Sequence, residues 1–189
     1  MINKIKSEGG YVTVAFLIIL PLIMMFLIVS LDHTRSVFGT DLDMQQALND
    51  ACRSSAMMVY PLSQAYNDPM IDPEKAHMAF RAIMASNLKL NDDLTPDENS
   101  PITDLEYTLI IVNGPNDYNL PRRWVYSNSD QEGVGFDSTL PYVFTDSELG
   151  VKVSLNRPGC IAVANANLKP IIGKQESTGV RWSSAKILK

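Results

Sequence analysis

The sequence is poor in the residues that most often bind metals or carry catalysis. Its 189 residues include only two cysteines and two histidines. The cysteines form no C-x-x-C pair, and His33 and His77 are too few to complete a metal site with them. We therefore predict no metal. The net charge is −5, which argues against nucleic acid as a partner because phosphates are bound by basic surfaces.

Motifs of known enzyme classes are missing as well. The chain has no G-x-S-x-G, no Walker A, no H-E-x-x-H and no G-x-G-x-x-G, so we predict no enzymatic activity and no cofactor. The acidic, glycine-containing residues 127–137 could bind calcium through oxygen ligands, but such a stretch is more often a solvated hairpin loop. Arg122 and Arg123 beside Trp124 could form a stacking surface, yet we favour the solvated, charged start of a strand.

Charge is absent from a long segment near the N-terminus. No Asp, Glu, Lys or Arg occurs from Tyr11 to Leu31, a length close to the ~20 residues that a helix needs to cross a bilayer. Secretory signals have shorter apolar cores, so we predict a transmembrane helix at 11–31. Because lysines stay on the cytoplasmic side, Lys4 and Lys6 indicate a cytoplasmic, leader-like segment at 1–10 and an extracytoplasmic domain at 32–189.

The two cysteines, Cys52 and Cys160, suit an oxidising compartment. An even number of cysteines in an exported domain favours a disulfide. It would close a loop of roughly 100 residues and contribute up to ~4.7 kcal/mol in the chain-entropy model. The alternative is two buried free thiols that act as small apolar residues. We favour the disulfide.

Helical periodicity continues beyond the apolar segment. Apolar residues recur at helical spacing toward Tyr60, with a bend or break at Gly39–Thr40 and a stop at Pro61. A second helix is predicted with Asp72 as N-cap and Pro73 as its first residue. One face of this helix carries an apolar stripe that we expect in the core: Ala76, Phe80, Ile83, Met84 and Leu88.

The remainder of the chain alternates between β-rich runs and turns. After an acidic, proline-containing loop at 91–101, the runs are LEYTLIIV, RRWVYS, YVFT, GVKVSLN, GCIAVANANL and GVRWSSAKIL. Strands that follow helices indicate an α+β fold. We therefore predict a long N-terminal transmembrane helix that extends into an exported domain, with a second helix and a small antiparallel sheet.

Four features follow one another in the first third of the chain. They are Gly10, the run YVTVAFLIILP with Phe16 and Pro21, the exit LDHTR with Asp32 and Arg35, and the helix DMQQALNDACRSSA. In this order and spacing they resemble the TadE/TadG-like family of pilus-assembly proteins, which serve the tight-adherence (Flp) type IV pilus. The resemblance ends near residue 60.

The resemblance implies a pseudopilin-like protein with one N-terminal helix and an exported globular head. It implies that a prepilin peptidase cuts after Gly10 and leaves Tyr11 as the new N-terminus. Pilin-like proteins usually carry a glutamate at the fifth residue after the cut, where this chain has Ala15. It also implies that Ala15, Phe16 and Pro21 pack against neighbouring pilin-like helices. The alternative is an anchor that is not cleaved.

The resemblance thus leads us to expect a minor pilus or pseudopilin-like component that assists assembly of a tight-adherence pilus or a related secretion apparatus. It would reside in the bacterial inner membrane as a single-pass protein, or in an extracellular pilus. Its partners would be the membrane, other pilin-like or pilus-assembly proteins, and the prepilin peptidase. Two alternatives stay open: a signal-anchored envelope enzyme or ligand sensor, and a tethered scaffold unrelated to pili.

Overall fold

One uninterrupted helix, α1, forms the N-terminal part of the chain over Ile2–Met57. The structure, a computed structural model, describes residues 2–65, 68–115, 121–128, 131–136, 138–147, 150–169 and 177–187. Of residues 2–13, 32–38 and 131–132 it describes only the backbone.

The structure corrects two expectations about α1, the break at Gly39–Thr40 and the end near Tyr60. The helix continues through Gly39–Thr40 without a break, because a single glycine in a helix costs only about 1 kcal/mol relative to alanine. The helix also ends at Met57 rather than near Tyr60, since Val59 leaves helical geometry to form a β-bridge with Ile71. Pro61 does not simply stop a helix but opens a short one, α2, at Pro61–Ala65.

The second long helix follows its predicted capping signals. It is α3, Pro73–Leu88, and the Asp72 side chain accepts a hydrogen bond from the Lys75 backbone N–H at 3.3 Å. The helix closes at Lys89, whose left-handed φ of 53° lets its N–H bond back to the Ala85 carbonyl. Every residue of the predicted stripe is buried except Ile83, which is half-buried against the core.

The described residues form seven strands in two antiparallel sheets. They are β1 Ile102–Val112, β2 Arg123–Tyr126, β3 Gln131–Gly135, β4 Tyr142–Asp146, β5 Val151–Leu155, β6 Gly159–Leu168 and β7 Ser177–Lys186. The larger sheet has the order β3-β2-β1-β6-β7, and β4 pairs with β5 separately. The predicted α+β class, with an N-terminal apolar helix, a second helix and antiparallel strands, is confirmed.

The sheets also correct the sequence predictions. Instead of one small sheet, the part of the chain that the structure describes contains two. The stretch interpreted as a solvated loop contains β3, which pairs with β2. The stacking surface suggested for Trp124 is excluded, because its side chain is buried in the core at 7 % exposure.

The larger sheet is covered on both faces by different elements. Helices α1 and α3 pack together on one face and bury Leu105, Tyr107 and Cys160 in the main core. The β4–β5 hairpin covers part of the other face, where Leu155 meets Ile161 in a smaller cluster. The folded part of the chain from Met44 onward, called the head below, is therefore built of three layers: the helices, the larger sheet and the hairpin.

A buried amide, Asn113, fastens the loop before α3 to the end of β1. Its side-chain oxygen accepts from the Ile71 N–H at 2.8 Å, and its side-chain nitrogen donates to the Ile71 carbonyl at 2.9 Å. An asparagine amide can satisfy a backbone N–H and C=O together because it offers the same acceptor and donor as another backbone. The loop at 68–72 is thereby fixed in place.

We predict that Phe80→Ala will lower the free energy of unfolding by about 3–5 kcal/mol, since Phe80 is fully buried where α3 meets the sheet and its loss leaves a cavity. The matched control is Met78→Ala on the same helix, whose side chain is 69 % exposed and should change stability by less than about 0.5 kcal/mol. Urea unfolding of the full chain in detergent, followed by tryptophan fluorescence, measures both. Equal losses in the two variants would contradict this core.

Candidate functional site

The apolar segment of α1, Val14–Leu31, is exposed along its whole length. It has a mean hydropathy of 3.0 and none of it is buried. By length and composition this helix is long and apolar enough to cross a membrane, a property that anchors and signal sequences share. The Phe26 side chain, for example, is 73 % exposed, so the segment presents apolar surface that water solvates poorly.

The residues predicted to act in this region lie as follows. Ala15, Phe16 and Pro21 are exposed on the apolar segment, and their packing against other helices stays a prediction. Gly10 and Tyr11 lie within α1, but their surroundings are outside the described part of the structure. Cleavage after Gly10 also stays a prediction.

The other end of the same helix is the centre of the head. Its buried residues recur at helical spacing and pack against α3, β6 and β7: Met44, Ala47, Leu48, Ala51, Cys52 and Ala56. The hydroxyl of Ser55 is also buried, within 2.9 Å of both the Ala51 and the Ala76 carbonyl oxygens. Because Ala76 belongs to α3, this hydroxyl joins the two helices.

Two polar contacts fix residues 41–45 of α1 to the edge strand β7. The Arg181 guanidinium forms an ion pair with Asp41, and the Gln45 side chain donates to the Trp182 carbonyl at 3.1 Å. Sequence reasoning missed both contacts. No local signal could have found the ion pair, since its partners are 140 residues apart.

The structure brings the two cysteines together. Both are buried and both are free thiols, and the Cys52 Sγ donates to the Cys160 carbonyl at 3.4 Å. This contact joins α1 to β6. The disulfide is not formed in this structure, which matches the alternative of two buried thiols, and the pairing stays a prediction.

An aromatic cluster between α3 and the sheet contains the histidine that sequence reasoning considered only for metals. His77 Nε2 lies 2.8 Å from the Tyr107 hydroxyl, and its ring stacks on Tyr126 with centroids 4.3 Å apart. Burial raises the pKa of both tyrosines to about 12, so their phenols are neutral at ordinary pH. The cluster packs α3 on β1 and β2 and provides no ionised nucleophile.

Metal ligands do not converge in the described ranges. No three His, Cys, Asp or Glu side chains come close enough together there to hold an ion. The acidic side chains of the possible calcium-binding stretch 127–137 are Asp130, Glu132 and Asp137, and they lie outside what the structure describes.

Comparison with known proteins identifies no relative: no family model, no curated protein and no solved structure matches this chain.

The buried thiols predict a loss of stability at alkaline pH. Burial raises the pKa of Cys52 to about 12 and that of Cys160 well above its usual value. In the unfolded chain these thiols ionise near pH 9, where the folded chain keeps its protons. The unfolded state then binds fewer protons, so stability is complete below about pH 9 and falls as pH rises, by up to about 1.4 kcal/mol per pH unit for each thiol.

Urea unfolding of the reduced protein at several values between pH 8 and 11 measures this slope. The variant with Cys52→Ala and Cys160→Ala should show a shallower decline, although the buried tyrosines still contribute above pH 10. Identical slopes in both proteins would show that the thiols are not protected.

Proposed function

We propose that this chain is a membrane-anchored, non-enzymatic component of a pilin-like assembly, serving a tight-adherence type IV pilus or a related secretion apparatus. One observation carries the proposal: α1 is continuous over Ile2–Met57, unburied and apolar at one end and the spine of a folded head at the other. The motif order from Gly10 through the Gln-Ala-rich helix supports the same assignment.

The physical logic of such a helix is assembly rather than turnover. Apolar side chains without partners in their own chain are stable in lipid or beside other apolar helices. In this proposal Ala15 permits close approach of a neighbouring helix, while Phe16 and Pro21 shape the contact surface. Because Ala15 carries no carboxylate, the helices would associate by apolar packing without the ion pair that a glutamate could form with a neighbour.

Orientation and processing belong to the same proposal. Lys4 and Lys6 would hold the N-terminus in the cytoplasm, with residues 32–189 outside the inner membrane. A prepilin peptidase would remove residues 1–10, and the mature chain would then enter a filament with other pilin-like proteins.

The anchor can be tested with charges in the middle of the apolar segment. Ile23→Lys combined with Phe26→Lys should release the full chain from the membrane, since two lysines there oppose insertion by about 5–7 kcal/mol. Leu42→Lys is the matched control, because it lies on the same helix outside that segment and is 68 % exposed. Carbonate-washed membranes measure retention, and full retention of the double variant would overturn the anchor.

The pilus assignment is tested by co-purification of the tagged full chain from the cells that carry its gene, solubilised in mild detergent. We expect pilin-like and pilus-assembly proteins with the native chain and with Leu42→Lys. A native chain that is retained in the membrane yet recovers none of them would overturn the pilus assignment and leave a tethered scaffold.

Processing has its own readout. Mass spectrometry of the mature protein from those cells should find Tyr11 as the N-terminus, and Gly10→Leu should block the cut because the new side chain obstructs the peptidase. An intact segment 1–10 on the native chain would remove the cleavage claim without affecting the anchor.

A further inference from the structure

A groove opens at the end of the head that is farthest from the apolar segment. Its volume is about 750 Å³. The last turn of α1, the loop before α3 and the end of β7 form its walls, with lining residues that include Arg53, Met57, Gln64, Pro69, Lys186 and Ile187. Strand β7 is an edge strand of the larger sheet, so the groove runs beside an open sheet edge.

The groove combines apolar surface with uncompensated positive charge. Met57 is 72 % exposed within it, and Arg53 and Lys186 are exposed at its walls. Lys186 Nζ donates to the Asn156 side-chain oxygen at 3.1 Å. Among the described residues neither cation forms an ion pair with a carboxylate. A complementary occupant is therefore acidic and partly apolar.

Two carbonyls in the middle of β7 already have partners within the chain. The Val180 carbonyl already accepts from the Arg181 guanidinium at 2.7 Å, and the Trp182 carbonyl accepts from Gln45. The stretch 184–187 lines the groove instead.

The opposite end of the head carries a surface of the matching chemistry. The loop at 91–101 exposes Asp92, Asp93, Asp97 and Glu98, and none of them forms an ion pair within the described residues. Thr95 stiffens the loop by donating through its N–H and its hydroxyl to Asp93 at 3.0 and 2.6 Å.

The loop also has a fixed position relative to the head. The buried side chain of Leu94 holds it to the core, and Arg81 donates to the Asp92 carbonyl at 3.0 Å. The acidic side chains are thus presented on an ordered turn.

We propose that the groove of one copy receives the acidic loop at 91–101 of a second copy, in a head-to-tail contact. This contact rests on the proposed function and adds a specific partner to it, namely a second copy of this chain. The groove and the loop are different surfaces of one molecule, so their pairing is heterologous and extends a row of heads instead of closing a dimer.

The two surfaces are too far apart to meet within one chain. The loop adjoins the start of β7, since the Pro101 carbonyl accepts from the Lys169 N–H at 2.9 Å and Leu168 pairs with Ser177. Lys186 lies at the other end of β7, about 30 Å away at ~3.3 Å per residue. A covalent link without a spacer between Lys186 and the loop must therefore join two copies.

This distance makes the test direct. The full chain in detergent, mixed from normal and ¹⁵N-labelled copies, is treated with a water-soluble carbodiimide that joins lysine amines to carboxylates in contact. We expect amide links between Lys186 and Asp92, Asp93, Asp97 or Glu98, in peptides of mixed isotope content. Lys186 linked only to carboxylates outside the loop, or linked to nothing, would overturn the contact.

Charge reversal supplies the second arm. Arg53→Glu should lower the yield of these links by about tenfold, because it replaces an attraction with a like-charge repulsion, and mixing it with an Asp92→Lys copy should restore part of the yield. Lys152→Glu, an exposed cation on β5 outside the groove, is the matched control and should leave the yield unchanged. Equal effects of Arg53→Glu and Lys152→Glu would contradict the assignment of the groove.

The outcomes separate this contact from the proposed function. Membrane retention and recovery of pilus components without the Lys186 links would reject only the head-to-tail contact. The Lys186 links without pilus components would support self-association and reject the pilus assignment.

Discussion

The packing of residues 44–56 of α1 against α3 and the sheet is the contact on which the rest of the structure depends. Met44, Leu48 and Cys52 are fully buried there, so this part of the helix contributes to the core of the head. The same helix carries the unburied apolar segment at its other end. Because the helix has no break between them, whatever fixes the apolar segment also fixes the direction in which the head extends. A hinge at Gly39 would have uncoupled the two.

Helix geometry sets the spacing of these two parts. Residues 32–43 separate the apolar segment from Met44, and at 1.5 Å per residue they span about 18 Å. The acidic loop at 91–101 lies at the same end of the head, because α3 runs back along α1 and its last turn, at Asn87, lies beside Asp43. If the apolar segment lies in a bilayer, the start of the head lies about 18 Å of helix beyond it.

How far the sequence predicts this structure depends on how local each feature is. The start of α3 follows from Asp72 and Pro73 alone, and the bounds of β6 coincide with the run GCIAVANANL, because caps and alternation act over a few residues. Strand β3 escaped prediction because its glycine-rich stretch has little β propensity of its own and gains its hydrogen bonds from β2. The groove depends on Arg53 and Lys186, which only the finished packing of α1 beside β7 brings together.

The groove and the acidic loop lie at opposite ends of the head. Two copies anchored side by side would therefore not bring a groove next to a loop. Copies held at the same depth in a membrane present grooves level with grooves and acidic loops level with acidic loops. Matching a groove to a loop then requires one head to shift along the helix axis by about 30 Å, judged from the length of β7. Heads waiting in the membrane would meet like charges side by side, which disfavours association, whereas copies displaced axially, as in a growing filament, would bring opposite charges together. The charge pattern would thus favour contact between two copies after one has shifted along the helix axis, and oppose it while both lie at the same depth.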